Sequence, residues 1–218
     1  MSAVRWYFDF ISPYSYLQGT RLDVFSQLTH IEYKPIIFAG LLEHHGQKGP
    51  AEIPAKKTHT FREIVWRAHR DGIALKLPAM HPFNPLPLLR LSIALGNRPE
   101  VVEALFRFVW VQGHLPTDPQ AWASLCESLG VTDPDHLIAQ PDVKAELRAN
   151  TDEAIQAGVF GVPSLLIRDQ VFWGDDMTDA ALACLRGDPF FQSAAMQQAA
   201  SLPDGVHRPA VSRRPDAT

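Results

Sequence analysis

The sequence predicts an α/β fold in which helices flank a mixed four-stranded sheet and a helical insertion separates the two halves of that sheet. Two observations support this prediction. Residues 4–38 follow a strand, helix and strand pattern, and residues 164–185 form two short strand patterns followed by a helix. Between them, residues 51–154 have mostly helical periodicity.

The N-terminal segment has the pattern of a βαβ unit. Residues 4–10 alternate and are rich in aromatic side chains, which favours a strand. Residues 14–28 place apolar side chains on one face of a helix, and residues 31–38 return to a strand pattern. Such a unit predicts two parallel strands joined by a right-handed crossover.

The middle of the chain is predicted to begin with a loop and to continue as helices. Residues 40–54 contain glycine and proline without periodicity, so we expect a loop there. Residues 77–87 contain four prolines, which predict an extended connection. Apolar stripes predict helices at residues 55–70, 102–110, 122–129 and 142–158.

The C-terminal part of the chain is predicted to form a hairpin and a closing helix. Two short strand patterns, at residues 164–168 and 171–173, flank Asp169 and Gln170, which suit a tight turn. Residues 175–185 predict a helix with acidic residues in its first turn.

Together, the outer segments have the plan of a thioredoxin fold that carries a helical insertion. We expect one domain over residues 1–200, with thioredoxin-like parts at about 1–50 and 155–200 and the insertion at about 51–154. Residues 201–218 have too little apolar content to fold, so we expect a disordered tail.

Composition and charge narrow the classes of function. The 218 residues are 46% hydrophobic and 20% charged, as in ordinary globular proteins. The formal net charge of −4 argues against nucleic acid or an anionic membrane as the main partner, and no apolar run is long enough to span a bilayer. The first residues lack the basic and apolar regions of a signal peptide, so we expect a cytoplasmic protein.

The two cysteines do not form a redox or metal motif. Cys126 and Cys184 lie far apart, each at helical spacing among apolar residues, and there is no CxxC pair. We expect both thiols to be buried, so any sulfur chemistry would use a thiol from outside the chain. His44 and His45 are adjacent but lack further ligands at matching spacing, so no metal site is predicted.

The segment FDFISPYSYL, residues 8–17, places a serine where the first predicted strand meets the first helix. Ser12 followed by Pro13 is an ordinary helix start. The same hydroxyl would also lie at the positive end of the helix, where it could hold a negatively charged group. The residues alone leave both interpretations open.

A resemblance to a known family rests on five segments, FDFISPYSYL, AGLLEHHGQKGPAEIPAKK, HPFNPLPLLRL, GVFGVPSLLI and FWGDDM. Together they resemble the 2-hydroxychromene-2-carboxylate isomerases, from about residue 4 to residue 186. These glutathione-dependent enzymes of bacterial aromatic catabolism are related to kappa-class glutathione transferases and, more distantly, to DsbA. The resemblance implies glutathione as cofactor, a small aromatic carboxylate as substrate and a homodimer.

The resemblance also implies the position of the glutathione thiol. Ser12 would replace the reactive cysteine of redox relatives and donate a hydrogen bond to the thiolate, with Pro13 and Tyr14 beside it. Such a bond contributes about 1.5–3 kcal/mol, enough to lower a thiol pKa by roughly one to two units. Pro163 would be cis, and the Val162 backbone would pair with the peptide-like part of glutathione. From GVP alone, an ordinary trans proline is preferred.

The resemblance also matches four further positions to the residues that bind the two ends of glutathione, and two of these positions, Asp175 and Gln47, differ from the family pattern. Asp176 matches a counter-ion of the γ-glutamyl ammonium, whereas Asp175 stands where relatives have serine. Gln47 replaces an asparagine with a longer amide, and Lys56 matches a lysine that pairs with the glycyl carboxylate. From residue types alone, the two aspartates are also helix caps, and Lys56 or Lys57 could be a solvated helix start.

Asn84 and Arg90 are the candidates for binding the second substrate, because their segment resembles one that lines the acceptor pocket. Asn84 could orient a carboxylate or hydroxyl group of the substrate, or it could cap the next helix. Arg90 could bind the same anion or lie on a helix surface. Both pairs of alternatives stay open.

The leading hypothesis is a glutathione-dependent isomerase that interconverts 2-hydroxychromene-2-carboxylate and trans-o-hydroxybenzylidenepyruvate, or a similar aromatic enone-pyruvate. A kappa-type glutathione transferase would share every glutathione-binding residue. A non-catalytic thioredoxin-like module, binding a peptide beside Val162, would explain the changes at Gln47 and Asp175. A thiol-disulfide oxidoreductase is disfavoured by the missing cysteines.

Overall fold

The computed structural model describes residues 3–203 and residue 205, and its centre is a four-stranded sheet. The strands are β1 (Val4–Phe8), β2 (Ile31–Pro35), β3 (Ser164–Ile167) and β4 (Gln170–Trp173). They lie in the order β2-β1-β3-β4. Strand β1 pairs with β2 in parallel and with β3 antiparallel, and β3 and β4 form an antiparallel hairpin. The predicted mixed sheet is confirmed.

Helices surround this sheet, and most of them lie between β2 and β3 in the chain. They are α1 (Pro13–Gly19), α2 (Asp23–Ser26), α3 (Phe38–His44), α4 (Pro54–Asp71), α5 (Leu86–Ala94), α6 (Pro99–Trp110), α7 (Pro119–Ser128), α8 (Pro134–Ala139), α9 (Pro141–Gln156), α10 (Thr178–Leu185) and α11 (Ala194–Ala200). The four helices predicted from apolar stripes correspond to α4, α6, α7 and α9. Within the described residues, none of these helices is both long and apolar enough to cross a membrane.

Aromatic side chains fix the end of β1 in the core. Trp6 and Phe8 are stacked, with ring centroids 4.3 Å apart, and Phe10 packs on Phe106 of α6 at 4.6 Å. The indole N–H of Trp110 donates to the carbonyl oxygen of Phe10 at 2.9 Å. These contacts hold the chain immediately before the turn into α1, and they therefore determine where Ser12 lies.

The crossover between β1 and β2 consists of two short helices, so the prediction of one helix over residues 14–28 is wrong in this detail. Helix α1 ends where the Thr20 hydroxyl donates to the carbonyl oxygen of Leu17 at 2.7 Å. Such a bond competes with continuation of the helix. Gly19 lies against the Trp6 indole, where a Cβ would come within 3.3 Å of the ring.

Residues 40–54 are predicted as a loop, and this prediction is wrong because α3 occupies Phe38–His44. The helix is short and fully buries only Leu41, so the sequence shows no apolar stripe there. Its first backbone N–H donates to the carboxylate of Asp9 at 3.0 Å, which starts the helix directly after β2. A 3₁₀ turn at Pro50–Glu52 leads into α4.

The hairpin turn lies one residue earlier than predicted. Ile167 pairs with Gln170, so Arg168 and Asp169 form the two-residue turn. Arg168 takes the left-handed conformation, with φ of 60°, which a turn of this kind requires.

The closing helix begins later than predicted, because a 3₁₀ turn at Asp175–Met177 precedes α10. The prediction of a disordered tail at residues 201–218 falls almost entirely outside the described residues. Directly before this segment lies α11, a short helix that the sequence pattern did not indicate.

Candidate active site

Ser12 caps the first helix, as one of its two interpretations predicts. Its Oγ accepts a hydrogen bond from the backbone N–H of Ser15 at 3.1 Å, and Pro13 occupies the first helical position. The backbone N–H of Ser12 donates to the carbonyl oxygen of Asp9 at 3.0 Å, which closes the turn after β1. Ser12 is only 6% exposed, and its side chain lines a cleft.

Val162 and Pro163 lie opposite Ser12, and the bond between them is cis, as the resemblance implied. The Ser12 hydroxyl lies 3.5 Å from the carbonyl oxygen of Val162, in addition to its hydrogen bond from the Ser15 N–H. The Gly174 N–H donates to the carbonyl oxygen of Pro163 at 2.9 Å, which anchors this segment to the end of β4. The fold thus brings together two residues that are 150 positions apart.

The cleft has a volume of about 450 Å³ and is mostly apolar. It lies between the β1–α1 turn, helix α3, helix α4 and the proline-rich connection before α5. Phe38, Phe61 and Phe83 form its aromatic walls, and Lys57 brings a cationic side chain to the same wall as Phe61. A cleft of this size and composition suits an aromatic molecule with few charged groups.

Tyr14 lines the cleft and begins a chain of polar contacts that leads away from it. Its hydroxyl donates to Glu63 at 2.7 Å, and Glu63 lies 3.6 Å from Arg67, which in turn pairs with Asp175. Burial, followed by the Glu63 carboxylate, raises the pKa of Tyr14 to about 12. The phenol is therefore protonated across the physiological range.

Asp175 does not face the cleft, and its predicted role in binding glutathione has no support in this geometry. The residue is 2% exposed, and its carboxylate is paired with the guanidinium of Arg67. The neighbouring Asp176 is exposed at the start of the 3₁₀ turn. Sequence reasoning missed Arg67, because a lone arginine on an amphipathic helix normally indicates a solvated surface.

Lys57, rather than Lys56, faces the cleft. Thr60 and Phe61 follow Lys57 by three and four residues, the spacing of one helix face, and all three line the cleft. The Lys57 ammonium donates to the carbonyl oxygen of His81. Lys56 is exposed outside the cleft wall, and so is Gln47 in the loop after α3.

Asn84 lies at the cleft and also bonds to the start of the next helix. Its side chain lines the cleft, and its Oδ1 accepts the backbone N–H of Leu86 at 3.1 Å at the start of α5. Arg90 lies one turn further along α5 and does not line the cleft, so it is not placed to meet a substrate there.

Asp9 and His81 line the cleft, and sequence reasoning missed both. Burial raises the pKa of Asp9 to about 7, although hydrogen bonds from backbone N–H groups oppose this shift. The Nε2 atom of His81 lies 2.9 Å from the carbonyl oxygen of Ile11 and must carry the hydrogen, because a carbonyl only accepts. Burial lowers the pKa of His81, which favours the neutral ring. The sequence indication for Asp9 was its position between Phe8 and Phe10, because a carboxylate in an aromatic strand pattern is unusual.

The two cysteines are buried away from the cleft, as predicted. Burial raises the pKa of both Cys126 and Cys184, so neither thiol is activated. Within the residues described, no cluster of histidine, cysteine, aspartate or glutamate could hold a metal ion. The arrangement therefore offers a hydroxyl, a buried carboxyl group and an apolar cleft, without a protein thiol.

Comparison with known proteins places this geometry in a family. Residues 3–185 match the model of the DSBA-like thioredoxin domain. The chain is 30% identical to the 2-hydroxychromene-2-carboxylate isomerase of Sphingobium xenophagum over 81% of its length and 94% of the relative. It is 33% identical to glutathione S-transferase kappa 2 of Caenorhabditis elegans over 76% of its length and 81% of the relative.

A solved structure of 2-hydroxychromene-2-carboxylate isomerase is also similar, with a TM-score of 0.72 and 26% identity over 88% of this chain and all of that one. The fold and the serine-containing site define a thioredoxin-like protein without a redox cysteine. The chain belongs to the DsbA-like thioredoxin family, and its relatives there include 2-hydroxychromene-2-carboxylate isomerases and kappa glutathione S-transferases.

Proposed function

We propose that this protein is a glutathione-dependent isomerase that interconverts 2-hydroxychromene-2-carboxylate and trans-o-hydroxybenzylidenepyruvate, or a similar aromatic enone-pyruvate. One observation carries the proposal: the Ser12 hydroxyl lies in an apolar cleft opposite Val162. The resemblance matches this position to the reactive cysteine of redox relatives. Similarity to curated isomerases supports the choice of reaction.

The residues of the cleft fit the thiol part of glutathione better than its charged ends. Ser12 offers a hydroxyl donor, and Val162 lines the same cleft with its carbonyl oxygen 3.5 Å from that hydroxyl. Asp175 is committed to Arg67 and does not fit the proposed role of binding the γ-glutamyl group. Gln47, Lys56 and Asp176 are exposed and therefore accessible to the ends of an elongated peptide. We assign them these contacts as part of the proposal.

When bound, glutathione supplies a thiolate that adds reversibly to a conjugated double bond, so that the bond can rotate before the thiol leaves. Ser12 holds the sulfur by a hydrogen bond and fixes its position in the cleft. The aromatic walls at Phe61 and Phe83 hold the substrate ring and exclude water. Lys57, beside Phe61, and Asn84, beside Phe83, orient the substrate carboxylate from these same walls.

A kappa-type transferase is the second candidate, and the 33% identity to a kappa enzyme specifically supports it. The two activities differ in whether glutathione is consumed. The protein should be retained on immobilised glutathione and should leave the total free thiol constant while it turns over the chromene acid. Steady loss of thiol with 1-chloro-2,4-dinitrobenzene, without isomerisation, would favour the transferase. Absence of any binding to glutathione would favour the non-catalytic module.

The same proposal places the reaction in the catabolism of aromatic compounds, in the cytoplasm, with a homodimer as the working unit. Similarity to relatives named 2-hydroxychromene-2-carboxylate isomerase supports an aromatic carboxylate substrate. Light scattering on the purified protein tests the dimer, and a monomeric mass at working concentration would contradict it.

A further inference from the structure

Asp9 is a buried carboxyl group in the cleft to which the hypothesis above gives no role. It lies three residues before Ser12 and is 1% exposed. Each of its oxygens accepts one backbone N–H, from Ile11 at 3.1 Å and from Phe38 at 3.0 Å. A carboxylate can accept about four hydrogen bonds, so each oxygen keeps a lone pair that can take a proton.

Asp9 has no cationic partner in the part of the chain that the structure describes. No lysine, arginine or histidine lies within ion-pair distance of it there. Lys57 lines the same cleft, but its ammonium donates to the carbonyl oxygen of His81. The burial of Asp9 is therefore offset only by backbone dipoles.

The other titratable groups that line the cleft come from four different segments. They are Tyr14 of α1, Glu52 of the 3₁₀ turn, Lys57 of α4 and His81 of the proline-rich connection. The pKa of Tyr14 is raised to about 12 and that of His81 is lowered by burial, so both are neutral in the physiological range. Asp9, with its pKa raised to about 7, exchanges a proton near neutrality.

Electrostatics links this group to the proposed thiolate. A thiolate formed in the apolar cleft beside an ionised Asp9 would place two negative charges in a region of low dielectric, which is unfavourable. If the thiol proton moves to Asp9, the total charge of the cleft does not change. The bound thiolate then faces a neutral carboxylic acid.

We propose that Asp9 is the proton acceptor of this site: it takes the thiol proton of bound glutathione and returns that proton when the thiol leaves. The S–H bond breaks with its electron pair remaining on sulfur, and an O–H bond forms on the Asp9 carboxylate. No other reactant is needed. The inference rests on the proposed use of glutathione, and it additionally says which residue receives the thiol proton.

The test counts protons instead of measuring activity. Glutathione binding is followed by calorimetry in buffers of different ionisation enthalpy, at slightly alkaline pH where Asp9 is ionised. Ultraviolet absorbance reports the amount of thiolate formed. S-methylglutathione, which has no thiol proton, is the control ligand. We expect thiolate to form on the wild-type protein with close to zero protons released to the buffer.

The variants sharpen this test. In Asp9→Asn, each thiolate that still forms should release about one proton to the buffer, because the internal acceptor is gone. Glu52→Gln removes another carboxylate of the cleft wall and should release as few protons as the wild type. If Asp9→Asn does not fold, the wild-type proton count decides alone.

Several results would overturn the inference. One is the release of about one proton per thiolate by the wild-type protein. Another is an unchanged count near zero in a folded Asp9→Asn variant, and a third is binding of glutathione without any thiolate. Failure of the wild-type protein to bind glutathione would instead reject the proposed function, and the two failures are therefore distinguishable.

Discussion

At the scale of single residues, the geometry of the Ser12 hydroxyl explains how it can serve as both a cap and a donor. Its oxygen accepts the Ser15 N–H at 3.1 Å, so its proton is free to point elsewhere. The carbonyl oxygen of Val162 lies 3.5 Å away, which is long compared with about 2.7–2.8 Å for an ordinary bond of this kind. Exchanging this weak partner for a thiolate therefore costs little.

The variant Ser12→Ala should separate these two roles. Loss of the donor should raise the pKa of bound glutathione by roughly one to two units, seen as weaker thiolate absorbance at neutral pH. Loss of the cap should cost only about 1 kcal/mol of stability. Ser15→Ala is the matched control, because the Ser15 hydroxyl is buried and has no hydrogen-bond partner among the described residues, and the backbone N–H remains. Unchanged absorbance in Ser12→Ala would leave Ser12 as a cap only.

Asp9 should also make stability depend on pH in a defined direction. Its pKa is about 7 in the folded protein against an ordinary value of 3.8, so the folded state binds the proton more tightly than the unfolded state. The Asp9 contribution is therefore most favourable below about pH 4 and is lost as the pH rises through about 7.

Urea unfolding of the wild type and Asp9→Asn across this range should reveal the effect. The wild type should lose stability relative to the variant by at most about 4 kcal/mol between the two limits. Comparison of the two proteins cancels the contributions of other groups, such as Glu153, whose pKa is lowered mainly by its bonds to Tyr7 and Lys34 against opposing burial. A stability difference that is constant with pH would contradict this account of Asp9.

At the scale of elements, a chain of polar contacts joins the helices around the cleft. It runs from Tyr14 on α1 through Glu63 and Arg67 on α4 to Asp175 in the turn before α10. The buried end of this chain consists of one ion pair, because the Asp175 carboxylate and the Arg67 guanidinium are both largely removed from solvent. Breaking such a pair from one side leaves an uncompensated buried charge.

The variant Arg67→Met should therefore be strongly destabilised, by about 3–5 kcal/mol in urea unfolding. Adding Asp175→Asn in the same chain should recover part of this loss, because it removes the unpaired charge. Arg70→Met, one turn further along the same helix, is the control, since Arg70 is exposed and contacts its neighbour Asp71 and the exposed ring of Trp66. It should leave the unfolding midpoint nearly unchanged. Equal effects of the two arginine variants would contradict the structural role of Arg67.

The elements that sequence patterns predicted are those with a long or repeated apolar face. Strand alternation predicted the sheet, and apolar stripes predicted α4 and α6. Helix α3 was not predicted, because it buries only one side chain and therefore has no apolar stripe. Its first backbone N–H donates to the carboxylate of Asp9, which is distant in sequence. The choice between Lys56 and Lys57 depends on the rotation of α4 about its axis, which the sequence does not fix to within one residue.

At the scale of the whole molecule, the fold brings three separate parts of the chain to one cleft. The β1–α1 turn contributes Asp9 and Ser12, and the segment before β3 contributes Val162. The aromatic and cationic walls come from helices α3 and α4 and from the proline-rich connection between β2 and β3 in the chain. The resemblance in five segments predicted this convergence, whereas the pairing of Asp175 with Arg67 needed the packing of α4. Both cysteines lie elsewhere, so the proposed sulfur chemistry would use an external thiol.

The most direct test of the central claim follows the isomerisation itself. The protein is offered 2-hydroxychromene-2-carboxylate or its ring-opened benzylidenepyruvate isomer with glutathione, and both forms are followed by ultraviolet absorbance. We predict that the mixture reaches one equilibrium from either side, that total free thiol stays constant, and that omission of glutathione abolishes the rate. An undiminished rate without glutathione, or no interconversion by protein that binds glutathione, would contradict the account.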